Sequence, residues 1–184
     1  MTTRVRGTGA QTDTGVVAPA RWRPIAALAL SLGGLGVSIY LTITHFAPAA
    51  LVCSANGLVN CAKVTTSPQS YVFGIPVAIL GLGFFVAMTV VNLPAAWHTA
   101  DRRVHLLRLA MSVVGMGFVL YLVAAELVII GNICLWCTSV HAITFLLFVL
   151  LVTTVPQMVG WAPAEERTPP DATAFDQIDG DPTG

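Results

Sequence analysis

Four cysteines occur in 184 residues, and they fall into two pairs of unlike spacing. Cys134-Leu135-Trp136-Cys137 is a C-x-x-C motif that opens an apolar run. Unpaired amides at a helix N-terminus carry about half a positive charge, which stabilises a thiolate and makes such a pair a candidate redox centre. At ~100° per residue, Cys134, Cys137 and His141 share one helical face. A flat ligand lodged between helices would meet a thiol and an imidazole together. Cys53 and Cys61 lie in a segment containing Asn56, Gly57 and Asn60, residues that favour turns. A disulfide closing so short a loop would be mobile and exposed, hence open to exchange with an outside protein. Two pairs in differing environments suggest a relay, in which an external dithiol reduces the loop disulfide and the loop reduces the C-x-x-C disulfide. No haem, flavin or iron–sulfur signature is visible, so a lipid-soluble two-electron acceptor, a quinone, fits the last step. The plainer readings are a pair of structural disulfides and a four-thiolate zinc site. The wide C-x7-C spacing and the membrane depth of the second pair weigh against zinc, and no metal ligands are assigned.

The elements that must position these cysteines are read from composition. The chain is 55% apolar and 10% charged, with a mean hydropathy of +0.79, whereas a soluble domain carries roughly 25% charged residues. Between Pro24 and Ala47, Val72 and Leu93, Leu109 and Ile130, and Leu135 and Val155, the only acid or base other than histidine is Glu126. Each run approaches the ~20 residues that cross a bilayer. The expected fold is therefore an all-α membrane protein, a four-transmembrane-helix bundle with helices at about 25–46, 72–93, 108–130 and 135–155 and an outward loop, 47–71, between helices 1 and 2. The first run is too long and too far from the start for a cleaved signal sequence. Arg4, Arg6, Arg21, Arg23, Arg102, Arg103, Arg108 and Arg167 all lie in the N-terminal tail, the second connection or the C-terminal tail, and Lys63 alone lies elsewhere. The positive-inside rule makes those segments cytoplasmic and puts all four cysteines on the extracytoplasmic side of a cytoplasmic membrane, where disulfides persist. Residues 1–23 and 157–184 read as disordered cytoplasmic tails around a 24–156 membrane domain. Formal net charge is zero with no basic stripe, which sets nucleic acid aside. No P-loop, dinucleotide fingerprint or HExxH motif occurs.

Over about residues 25–155 the arrangement resembles the vitamin K epoxide reductase (VKOR) family, in particular its bacterial homologues that drive disulfide formation. The matching features are two loop cysteines eight positions apart, Cys53 and Cys61, then Ser67 six positions on, and the C-x-x-C that begins the last helix. Cys61-Ala62-Lys63-Val64-Thr65-Thr66-Ser67 and Phe73-Gly74-Ile75-Pro76 look like the bacterial form. Another family of quinone-linked disulfide oxidases carries its C-x-x-C in the first outward loop, the reverse of the order here. The resemblance implies that Cys53 exchanges with the partner, Cys61 passes electrons to Cys134, and Cys137 faces the quinone, of menaquinone, ubiquinone or vitamin K type, with Ser67 near its head group. Many members carry a fused thioredoxin-like domain; none is expected here, so the implied partner is a separate extracytoplasmic DsbA-like oxidase. The alternative of an animal-type vitamin K epoxide reductase is disfavoured by the bacterial-looking loop.

His141 matches the position where animal members carry a tyrosine that contacts the quinone-type substrate, and is the third cofactor-binding candidate beside Ser67 and Cys137; a structural buried histidine is the alternative. Ser70 is weaker. Glu126 is an intramembrane acid, read either as a proton donor to quinone or as an interfacial cap. His45 and Trp136 read as interfacial residues. Gly33, Gly34, Gly36, Gly81, Gly83, Gly115 and Gly117 are expected to permit close helix packing.

Overall fold

A computed structural model describes residues 20–53, 56–99 and 101–159. The expected tails, with Arg4, Arg6 and Arg167, lie almost wholly outside the described residues. Among the described residues, three helical stretches are long and apolar enough to cross a membrane: α1 (Trp22–Phe46), α5 (Arg102–Ala124) continued by a π turn over Ala125–Ile130, and α6 (Leu135–Met158). The protein is thus a helical membrane protein.

The second apolar run differs from the expected 72–93 helix. Tyr71–Val72 (β1) pairs antiparallel with Ile75–Pro76 (β2), and Phe73 and Gly74 turn the chain between them at φ 52° and 78°. Helix α3 begins only at Val77 and ends at Val91. Its 15 residues rise about 22 Å at 1.5 Å each, short of the ~30 Å hydrocarbon core. An apolar hairpin and an apolar helix score alike in hydropathy, so the boundary was hidden. Pro94 ends the helical path beyond Asn92, since the residue before a proline avoids helical geometry, and a short helix, α4 (Pro94–Trp97), follows. Helix α5 starts six residues before the expected position 108, because the Asp101 side chain accepts the Arg103 N–H at 2.8 Å and caps a charged first turn. The expected loop 47–71 also contains a five-residue helix, α2 (Cys61–Thr65), capped by Asn60, whose side chain accepts the Lys63 N–H at 3.0 Å.

Helix α1 packs on both α3 and α6, and α5 packs on α6. The buried residues of α1 are Ala27, Ser31, Gly34, Ser38, Leu41 and Thr44, a stripe of mostly small side chains every three or four positions. Gly34 lies against the Phe85 ring, where an added Cβ would overlap it, and a Cβ on Gly115 would come within 2.7 Å of the Phe84 ring. Gly81 approaches Ser38, but Gly33, Gly36, Gly83 and Gly117 face open space, so the packing role expected of seven glycines belongs to a few.

At the end of the bundle away from the cysteines, Ala27, Met88, Trp97, Leu147 and Leu151 form one apolar cluster. Arg108, 0% exposed, is buried beside it. Its Nε and Nη2 donate to the Val91 carbonyl at the end of α3, at 3.2 and 2.5 Å, and its Nη1 lies 3.0 Å from His105 Nδ1. The guanidinium rests 4.0 Å from the centroid of the Trp97 ring. Asn92 donates to Ser31 Oγ at 3.2 Å, joining α3 to α1. A cation on the last carbonyl of α3 opposes the partial negative charge of the helix C-terminus.

Candidate active site

The four cysteines converge at the opposite end. Cys53 and Cys61 form a disulfide with a Cα–Cα distance of 6.1 Å, and Cys134 and Cys137 are unlinked. Cys61, Val64 and Cys134 make one buried cluster, with Cys53, Leu51, Ile130, Trp136 and Cys137 packed against it. One pair is thus linked and the other is not, and the two lie side by side. Exposure, however, departs from expectation: Cys61 is 1% exposed and Cys53 is half-buried.

Nor is the loop free, because its backbone docks on the turn that precedes the C-x-x-C. Ile133 donates to the Leu58 carbonyl at 2.8 Å and accepts from the Asn60 N–H at 3.0 Å, so that Val59 bridges Ile133 in parallel. Asn132 Nδ2 donates to the Leu58 carbonyl at 3.2 Å. The Lys63 ammonium donates to the Ile130 carbonyl at 3.1 Å and to Asn132 Oδ1 at 2.5 Å. Trp136 completes the attachment: its indole N–H donates 2.9 Å to the Val52 carbonyl, one residue before Cys53, and its ring packs 4.6 Å from that of Tyr40. Expected at the bilayer interface, it also pins the loop. Backbone ladders leave no side-chain pattern, so only Lys63 and Asn132 could have signalled this docking.

Cys134 is the N-cap residue of α6, and its Sγ accepts the Cys137 N–H at 3.3 Å. Its thiol is lowered from the ordinary cysteine value, first by the hydrogen bond with the Cys137 thiol, and further by the N–H groups of Cys137 and Trp136, against the opposing effect of burial. The first turn of a 24-residue helix thus favours a thiolate at Cys134.

Beside Cys137 lies a cavity of about 290 Å³. Leu41, Val64, Phe84, Phe85, Phe118 and Val140 give it apolar walls, while Ser67, Glu126, Cys137 and His141 reach it with polar groups. The structure therefore brings Ser67 and His141 to the same space as Cys137. The Ser67 hydroxyl donates 2.8 Å to the Val64 carbonyl, and Ser70 donates 2.6 Å to the Ser67 carbonyl, which fixes the segment after α2. His45, expected at the interface, also lines the cavity and lies 3.1 Å from the Tyr71 hydroxyl. The aromatic wall from α3 escaped the sequence reading because Phe84 and Phe85 are indistinguishable there from lipid-facing residues. Apolar walls with a few convergent polar groups are the usual make-up of a small-molecule site, and this volume accommodates a quinone ring.

A disulfide packed on a second cysteine pair lies at one end of a helical bundle, beside an apolar cavity. The chain belongs to the vitamin K epoxide reductase family, whose model matches residues 25–152. All four cysteines, Ser67, Glu126 and His141 fall inside that match. A search of curated proteins gave no match. Membership of the family makes the chain an oxidoreductase with disulfide- and quinone-related chemistry.

Proposed function

We propose that the protein is a quinone-dependent, disulfide-forming oxidoreductase that re-oxidises a separate DsbA-like thiol oxidase outside the cytoplasmic membrane. The observation that carries this reading is the shared cluster of the Cys53–Cys61 disulfide with Cys134, and the opening of Cys137 onto the apolar cavity. A partner thiolate attacks Cys53, the less buried residue of the two, and Cys61 leaves as a thiolate. The partner's second thiol displaces Cys53 and carries away the new disulfide. Cys61 then attacks Cys134 of an oxidised Cys134–Cys137 pair, Cys137 leaves, and Cys53 closes on Cys61. The reduced pair gives two electrons and two protons to a quinone in the cavity, so partner dithiol and quinone become partner disulfide and quinol. Cys137 and His141 would flank the ring, with Ser67 near the head group.

The arginines of the Arg102–Arg108 segment support a cytoplasmic placement of that end, with both termini on the same side. Liposomes holding the chain and a naphthoquinone or benzoquinone are expected to oxidise a reduced thioredoxin-like dithiol protein in proportion to quinone. A quinone-independent rate would sink the reading, as would turnover that survives Cys134→Ala or Cys137→Ala.

A further inference from the structure

The cavity contains one acid that the relay leaves without a task. Glu126 is 6% exposed and lines the same space as Cys137 and His141. It is carried by the π turn over Ala125–Ile130, which widens the helix at this point, and such turns within α-helices occur frequently at functional sites. The turn closes on Gly131, at φ 66°, and its backbone is fixed by the Asn132 N–H, which donates to the Glu126 carbonyl at 3.2 Å. This places the carboxyl within electrostatic reach of the Cys134 backbone N–H and of both thiols. The nearby Lys63 does not neutralise it, since its ammonium is directed to Ile130 and Asn132. Among the described residues no cation pairs with Glu126; an unpaired acid inside a bilayer is costly, and such residues commonly mark proton pathways.

We propose that Glu126 is the proton-transfer group between the Cys134–Cys137 dithiol and the quinone. This rests on the relay described above and adds its proton path. As the S–S bond forms, the two sulfurs lose two electrons and two protons. The Glu126 carboxylate takes the proton that leaves Cys134 as its thiolate forms and, as the carboxylic acid, donates it to one quinone oxygen, returning to carboxylate. The Cys137 proton passes directly to the other oxygen, and the two electrons complete the quinol. Atoms and electrons balance with no further reactant.

The test uses the full chain in liposomes, with dithiothreitol as donor and a short-chain naphthoquinone as acceptor. General acid–base catalysis contributes ~100- to 10,000-fold. Glu126→Gln, which keeps size and hydrogen bonding but holds no transferable proton, is expected to lower kcat for quinone reduction at least about 30-fold. The KM for quinone should stay within about threefold, and Glu126→Asp should restore part of the rate with a displaced pH–rate profile. Unchanged kcat in Glu126→Gln overturns the proposal. So does a loss confined to KM, or an equal loss in both variants with an unmoved pH profile, because these mark a packing role. If Glu126→Gln does not accumulate in the membrane, Glu126→Asp decides alone, and a wild-type pH profile overturns the proposal. A wild-type protein that never reduces quinone would instead overturn the function on which the inference rests.

Discussion

At the Arg108 end, several polar side chains are engaged inside the fold, although the buried Asn92 Oδ1 and Trp97 indole N–H find no hydrogen-bond partner among the described residues. The guanidinium holds the last carbonyl of α3, sits on Trp97 and meets His105, while Asn92 holds Ser31. At the cysteine end the polar and reactive groups are turned toward one another or toward a cavity, and the closing bonds are a disulfide and a backbone ladder. The first kind of closure is permanent, because undoing it strands a buried carbonyl and a buried charge. The second can be undone by chemistry, because a disulfide is exchangeable and a docked loop need only shift locally. Stability and reactivity are thereby kept at opposite ends of the same short bundle.

Breaking the reactive end should have the largest effect on turnover and the smallest on the fold. Cys134→Ala and Cys137→Ala are each expected to bring quinone-dependent thiol oxidation to background, while thermal melting in detergent moves by no more than a few degrees. A collapse of melting temperature would show that the cysteines hold the fold. At the other end, Arg108→Ala removes two hydrogen bonds to Val91 and the Trp97 contact, a loss of about 3 kcal/mol. That should appear as a sharply lowered melting temperature, with normal activity per folded molecule at low temperature. Gly34→Ala lies between the two ends, because Phe85 is both its packing neighbour and a cavity wall. Overpacking there should cost about 1–3 kcal/mol and raise the KM for quinone, measured together on one preparation; a stability loss with no change in KM would show that Phe85 does not couple the two ends. The smallest effect is expected from Lys63→Met, which removes the bonds to Ile130 and Asn132 at about 1 kcal/mol. Rapid-mixing kinetics should show slower transfer from loop to C-x-x-C, with reduction of quinone by a pre-reduced enzyme unaffected.

The runs around α1, α5 and α6 were legible because absence of charge over about 20 residues has one common physical cause, contact with lipid. The same logic misplaced the start of α3, since Val72, Phe73, Ile75 and Pro76 are as apolar as a helix and only the positive φ at Phe73 and Gly74 reveals the hairpin. The cysteines announced themselves through spacing and position. Their exposure did not: the burial of Cys61 depends on Val64, Cys134 and Ile133, residues brought near by a ladder that connects positions far apart in the chain. His141 followed from helical periodicity, whereas the placement of Glu126 in the cavity depends on a π turn with no sequence signature.

The unequal burial of Cys53 and Cys61 has a final consequence. A symmetric disulfide could be opened at either sulfur, and half of all encounters would leave the partner attached to the wrong cysteine. Here Cys53 is half-buried, whereas Cys61 is buried in one cluster with Cys134. In the relay proposed above, the covalent bond acts as a turnstile: arriving thiols engage one arm, and the arm released by that engagement already lies beside Cys134.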